Sequence, residues 1–179
     1  SQRRPMMDLF DSLQLLSSRL DQLLPRLQTE EATKNALIMP MLNALGYNVF
    51  DPTEVVPEFV ADVGTKKGEK VDYALFLNGK IMLLVECKAA GSQLTLNNAS
   101  QLYRYFSVTD ARFAVLTDGL RYKFYTDLEA PNRMDEKPFF EFDLRDFDER
   151  SVAELKKFSK PLFNLENILS NASELKYTQ

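Results

Sequence analysis

The chain has 179 residues, 45% hydrophobic and 27% charged, with a net charge of −4, which is the make-up of one ordinary soluble domain. It contains no histidine and a single cysteine, Cys87. This excludes serine–histidine and cysteine–histidine nucleophiles, imidazole or multi-cysteine zinc sites, and an internal disulfide. Any chemistry must run on carboxylates, lysine, tyrosine or the backbone. The negative balance argues against coating nucleic acid by bulk attraction and leaves local basic surfaces open. No apolar run approaches the roughly 20 residues of a membrane span, and the start SQRRPMMDLF lacks the apolar core of a signal peptide. An intracellular, cytoplasmic protein without membrane contact is expected.

Residues 6–28 carry Met6, Leu9, Phe10, Leu13, Leu16, Leu20, Leu23, Leu24 and Leu27. The spacing of threes and fours predicts an amphipathic helix, divided near Pro25. Its apolar face fits either packing on the domain or a seam with a partner or a second copy, as in a homodimer. We treat 1–28 as this helix and 29–179 as the domain proper. A second helix is predicted from an N-cap at Thr29 to a stop at Gly46, with acids in its first turn and a bend at Pro40.

Extended segments are expected at 48–50, 54–60, 71–77 and 81–88. The loop GTKKGEK at 64–70 lacks the ending of a phosphate-binding loop and reads as a basic turn. A helix follows over 97–106, capped by Asn97 or Asn98, with Ala99, Leu102, Tyr103 and Phe106 as its core side. Gln101 and Tyr105, four apart, share a different side. Residues 111–126 read as two strands joined around Asp118-Gly119. A loop at 127–138 and a short strand at 139–142 come next. Ser151 with Glu154 suggests a capping box opening a helix to about 158, and a last helix is expected near 165–173. The order of elements predicts an α/β or α+β fold, a mixed sheet flanked by helices.

The chemistry concentrates at LLVECKAAG, residues 83–91, where a buried strand ends in Glu86, Cys87 and Lys88. Asn78-Gly79 predicts a hairpin that brings Asp72 to the same sheet end. A tight two-residue turn would put Asp72 and Glu86 on opposite faces. A three-residue loop or a bulge is required to bring them together, and the loop would set Asp72 across from Leu84 with Glu86 as its diagonal neighbour. On one face, Asp72, Glu86 and Lys88 would suit a hard divalent cation, Mg²⁺ or Mn²⁺, with Lys88 beside the attacking water of a phosphodiesterase. A partly buried ion pair at a strand end is the competing reading.

Asp72, Glu86-Cys87-Lys88 and the Gln101 to Tyr105 run resemble the PD-(D/E)xK nuclease superfamily with its accessory Q-x-x-x-Y motif. More closely, EVVPEFVADVGTKKGEKVDYALF, LLVECKAAG, QLYRYFSVTDARFAVLTDG and PFFEFDL resemble the N-terminal nuclease domain of type I restriction enzyme R subunits and its stand-alone or prophage relatives. The resemblance implies a restriction-endonuclease-like fold and a Mg²⁺-dependent DNA endonuclease. It implies Asp72, Glu86 and the Cys87 carbonyl as metal ligands and Lys88 as the catalytic lysine. Gln101 and Tyr105 would position DNA or the site. An acid of the first helix, Glu31 or alternatively Glu30, would join the metal shell. Val71 stands where the superfamily's name has proline. No helicase motor or target-recognition module follows, so DNA, other restriction-system subunits or a separate motor are the expected partners. The alternatives are a silent nuclease-like module that binds DNA or a partner, and a structural or regulatory protein assembling through its first helix. Lys66, Lys67, Lys70, Lys80, Arg104 and Arg121 are candidates for a phosphate-facing surface.

Overall fold

The computed structural model describes residues 7–61 and 69–177. Met6, Lys66 and Lys67, with most of the expected basic turn, lie outside them. Helices α1 (Leu9–Ser18) and α2 (Leu20–Leu23) run into a 3₁₀ turn at Leu24–Arg26 containing Pro25. Asp8 caps α1 by accepting from the Asp11 amide at 2.8 Å. The first break falls at Arg19, six residues before the proline, so the helix divides earlier than Pro25 alone predicts. Leu9, Leu13, Leu16 and Leu20 are buried in the same apolar cluster as the sheet.

The second helical stretch opens as expected, with the Thr29 hydroxyl accepting from the Ala32 amide. It runs through α3 (Glu30–Thr33), a π-helical turn at Lys34–Ile38, and α4 (Met39–Ala44). The π turn lies just ahead of Pro40, whose missing N–H and bulky ring cannot continue the regular ladder. Residues 48–50 form a turn, not a strand. Asn48 Oδ1 accepts from the Phe50 amide and Asp51 Oδ1 from the Thr53 amide, and these side-chain bonds offer the backbone an alternative to a ladder.

Six strands form one mixed sheet in sequential order: β1 (Val55–Phe59), β2 (Val71–Leu77), β3 (Lys80–Cys87), β4 (Phe113–Thr117), β5 (Arg121–Tyr125) and β6 (Phe140–Asp143). All neighbours are antiparallel except β3 and β4, which are parallel and are joined through α5 (Ser100–Val108), as a parallel pair requires a crossover. Two more helices, α6 (Glu149–Lys156) and α7 (Leu165–Tyr177), follow the sheet. The expected α+β architecture of a mixed sheet flanked by helices is therefore present. One core cluster joins Tyr73, Leu75, Val85 and Phe113 to α1, α4, α6 and α7; the other joins Ala74, Leu84 and Ala114 to α5.

Two helix starts differ from expectation. A 3₁₀ turn at Leu96–Ala99 precedes α5, and Asn98 bonds back to the Gln93 carbonyl instead of capping. The cap of α6 is Asp148, which accepts from the Ser151 amide, while Ser151 is its reciprocal partner. Asp outcompetes the expected Ser–Glu pair because its carboxylate reaches the third amide directly.

Candidate metal and catalytic centre

The hairpin β2–β3 decides the centre. Asn78 and Gly79 take φ of 54° and 76°, the left-handed values of a tight primed turn, and Leu77 pairs with Lys80. This is the two-residue turn that by itself would have separated the acids. The register then shifts between Leu75 and Phe76: Phe76 pairs with Ile81, but Leu75 pairs with Leu83. One extra residue on β3, at Met82, is the β-bulge that restores a common face. The expectation that Asp72 lies across from Leu84 is overturned, because Tyr73 pairs with Val85 and the register carries Asp72 opposite Glu86 itself.

The two carboxyls are buried, Asp72 at 9% and Glu86 at 6% exposure. Both oxygens of Asp72 are held: Oδ2 accepts from the Cys87 amide at 2.7 Å, and Oδ1 from Lys34 Nζ at 3.1 Å. Glu86 stands opposite Asp72 within hydrogen-bonding reach, and a bond between two carboxyls requires a proton on one of them. Burial first, then that hydrogen bond and the Asp72 charge, push the Glu86 pKa up to about 9, with Glu30 adding repulsion and Lys88 opposing. Its Oε2 is buried without a hydrogen-bond partner among the described residues. Burial and the two acids raise the Cys87 thiol far above its ordinary value, so this residue has only its backbone to offer. Lys88 is half-buried, and its amide donates to the Thr117 carbonyl at 2.8 Å.

An orphaned carboxylate oxygen, an oxygen-only donor set and a Glu86 carboxyl pushed toward its protonated form beside Asp72 fit a hard divalent cation, which would replace that proton. Asp72, Glu86 and the Cys87 carbonyl are the residues that would hold it. No group of three or more acidic, cysteine or histidine side chains with metal-ligating geometry occurs among the described residues, so backbone and water would complete the shell.

Glu31 meets the acid pair through Lys34. Its carboxylate, 73% exposed, binds Lys34 Nζ at 2.5 Å. Glu30, the alternative, is the helix acid whose charge acts on Glu86. Tyr105 is in the core, not off it: its ring is fully buried, packs edge-on to Phe59, and its hydroxyl donates to the Glu69 carbonyl at 2.5 Å. That buried acceptor lets a tyrosine replace Tyr103 on the core side. Tyr103 is half-buried and accepts from Arg133 Nε. Gln101 is half-buried one turn before Tyr105.

Lys34 escaped the sequence reading, although its phase with Ile38, Met41 and Leu45 put it on the buried side of its helix. Burial works against its charge, but the hydrogen bonds it donates to Glu31 and Asp72, together with their negative charges, raise its pKa above the ordinary lysine value. Glu58 was missed too. It stands opposite Asp72 on β1 with φ of 51°, a strained value for a strand, and pairs with Lys70 at 2.6 Å. The segment after Lys88 is tied down by Thr33, which accepts from the Ala90 amide, and by Asp118, which accepts from Gly91 and from the Leu120 and Arg121 amides. Among the basic candidates, Arg104 pairs with Glu69 and Arg121 lies 3.9 Å from Asp143. Lys80 is exposed at the hairpin turn, the end away from Asp72.

Residues 54–133 match the family model of the type I restriction enzyme R protein N terminus. The match takes in Asp72, Glu86, Lys88, Gln101 and Tyr105, and leaves Glu31 and Lys34 outside. No curated protein and no solved structure matches the chain. No helix of the described residues is long and apolar enough to cross a membrane.

Proposed function

We propose that the chain is a divalent-cation-dependent DNA endonuclease domain of the PD-(D/E)xK type, working in a restriction system with DNA and other subunits as partners. The observation that carries this reading is the buried Asp72–Glu86 pair with its orphaned oxygen, with Lys88 two residues after Glu86. Mg²⁺ or Mn²⁺, when bound, would supply Lewis-acid stabilisation of charge on the phosphoryl group. Asp72 and Glu86 supply the oxygens and are kept in place by the Cys87 amide and the β3 bulge. Lys88, fixed through its backbone to β4, holds and orients the water that attacks phosphorus. Gln101, on the helix that covers this face, contacts substrate; Tyr105 supports the centre from within the core.

The second reading, a silent module that only binds DNA or a partner, is favoured by one observation: both oxygens of Asp72 already have protein partners. Incubation of supercoiled plasmid with the protein in Mg²⁺ or Mn²⁺ separates the two. The expected result is nicking or linearisation that EDTA abolishes and that Lys88→Ala lowers by about 100-fold or more. Cleavage undiminished by Lys88→Ala refutes the lysine assignment, and DNA binding without cleavage establishes the silent module.

A further inference from the structure

We propose that Lys34 is a positioning residue of the metal centre, the middle of a Glu31–Lys34–Asp72 clamp that aims Asp72 at the cation. The inference rests on the metal-dependent reading above and changes the part assigned to Glu31, which acts through Lys34 instead of entering the metal shell.

The geometry is specific. Each carboxylate oxygen carries two acceptor positions. Lys34 occupies one on Oδ1 and the Cys87 amide one on Oδ2, so the carboxylate plane of Asp72 is fixed at both oxygens and its remaining lone pairs are left for the Glu86 carboxyl or for the cation that would displace its proton. A ligand held in this way loses little further freedom when a cation binds, and outer-shell groups of this kind tune metal affinity strongly. Lys34 is itself restrained. It is 8% exposed, lies at the start of the π turn, follows Thr33, whose hydroxyl accepts from the Ala90 amide beside the centre, and is held by Glu31 on its outer side. Burying an ammonium is costly unless it is paired and hydrogen-bonded, and this one has an acid on each side. Glu31 therefore has a task at its exposed position: it keeps Lys34 extended toward Asp72. Glu30 is left as the helix acid nearest in effect to Glu86.

The test measures Mn²⁺ binding by electron paramagnetic resonance or calorimetry on the intact chain, which needs no turnover, alongside plasmid cleavage as a function of Mn²⁺. Lys34→Met is expected to weaken Mn²⁺ binding by about ten-fold, with the cleavage rate at saturating Mn²⁺ changed much less, and Lys34→Arg to restore most of the affinity. Glu31→Gln, at an exposed position that folding tolerates, is expected to weaken binding about three-fold; it keeps the inference testable should Lys34→Met fail to fold. Binding that is unchanged or tighter in Lys34→Met overturns the clamp and makes Lys34 a competitor of the cation. A loss that Lys34→Arg does not restore overturns it as well, because packing and not charge would then be at work. Wild-type protein that binds no Mn²⁺ sinks the metal-dependent reading itself, and this inference with it.

Discussion

Glu86→Gln should stabilise the protein while abolishing the proposed cation-dependent cleavage. The ordinary glutamic acid pKa of 4.5 is pushed up to about 9 at Glu86, by burial and then by Asp72. A group whose pKa is higher folded than unfolded contributes stability that is complete below the unfolded value and is lost as pH rises toward the folded one. Glu86 therefore favours folding below about pH 4.5 and progressively less up to about pH 9. Each unit is worth about 1.4 kcal/mol, so at about pH 7.5, three units above the unfolded value, the acid has cost the folded state about 4 kcal/mol relative to its protonated form. Glutamine has the same shape, cannot ionise, and still offers Asp72 an N–H donor. The difference in unfolding free energy between Glu86→Gln and wild type should thus grow by about 4 kcal/mol between about pH 4.5 and about pH 7.5, then level off near pH 9. For a domain of this size that corresponds to about 10 °C in Tm.

Urea unfolding followed by circular dichroism in EDTA, for both proteins across this range, gives the difference directly. Any offset at the acid end reports the change of group and is subtracted by the comparison. A difference that stays constant within about 1 kcal/mol from pH 5 to pH 8 would show that Glu86 ionises normally, and would remove the argument that a cation replaces a shared proton. A second arm follows from the same logic. Mn²⁺ should stabilise the wild type increasingly as pH rises, because the competing proton weakens, and should leave Glu86→Gln nearly unaffected.

Three further substitutions test the frame around the centre. Gly119→Ala places a Cβ 2.8 Å from Leu37 Cδ1 and 3.0 Å from both Leu37 Cβ and Thr33 Cγ2, at a φ of +84°; a loss of about 2–4 kcal/mol in urea unfolding is expected. Tyr105→Phe removes the bond to the Glu69 carbonyl and should cost about 1–2 kcal/mol with DNA affinity unchanged, whereas a drop in DNA affinity at constant stability would return Tyr105 to the substrate. Asp148→Ala deletes the α6 cap and should lower stability by about 1 kcal/mol, measured in the same way.

The elements legible in the sequence were those whose signals are local. β2 begins and ends where expected, at Val71 and Leu77, because a nearly continuous apolar run stops at Asn78-Gly79; Thr29 caps its helix because acids and an apolar stripe follow at fixed offsets. What was not legible depends on neighbours distant in sequence. Tyr105 could enter the core only because the Glu69 carbonyl waits there for its hydroxyl. Lys34 could be buried only because Glu31 and Asp72 flank it, and a lone lysine in a helix carries no motif to announce that.

The β3 bulge is the most instructive case. A two-residue turn and a common face for Asp72 and Glu86 are incompatible in a regular hairpin, since slipping the register by one residue turns every side chain over. The chain keeps the tight turn that Asn-Gly favours and corrects the phase at Met82, three residues after Gly79, so that Leu75 meets Leu83. The apolar residues around the bulge permit this: Ile81 and Met82 are both half-buried, so neither face is strongly preferred where the extra residue sits. Beyond it, Leu84 and Val85 are committed to opposite cores and fix the register up to the acids. Deleting Met82 would remove the bulge, make the ladder regular from the turn onward, and still leave Glu86 opposite Asp72, so Mn²⁺ binding should survive the deletion. A shortened hairpin that kept its fold but lost Mn²⁺ binding would show that the pairing of these two acids is not enough to build the centre.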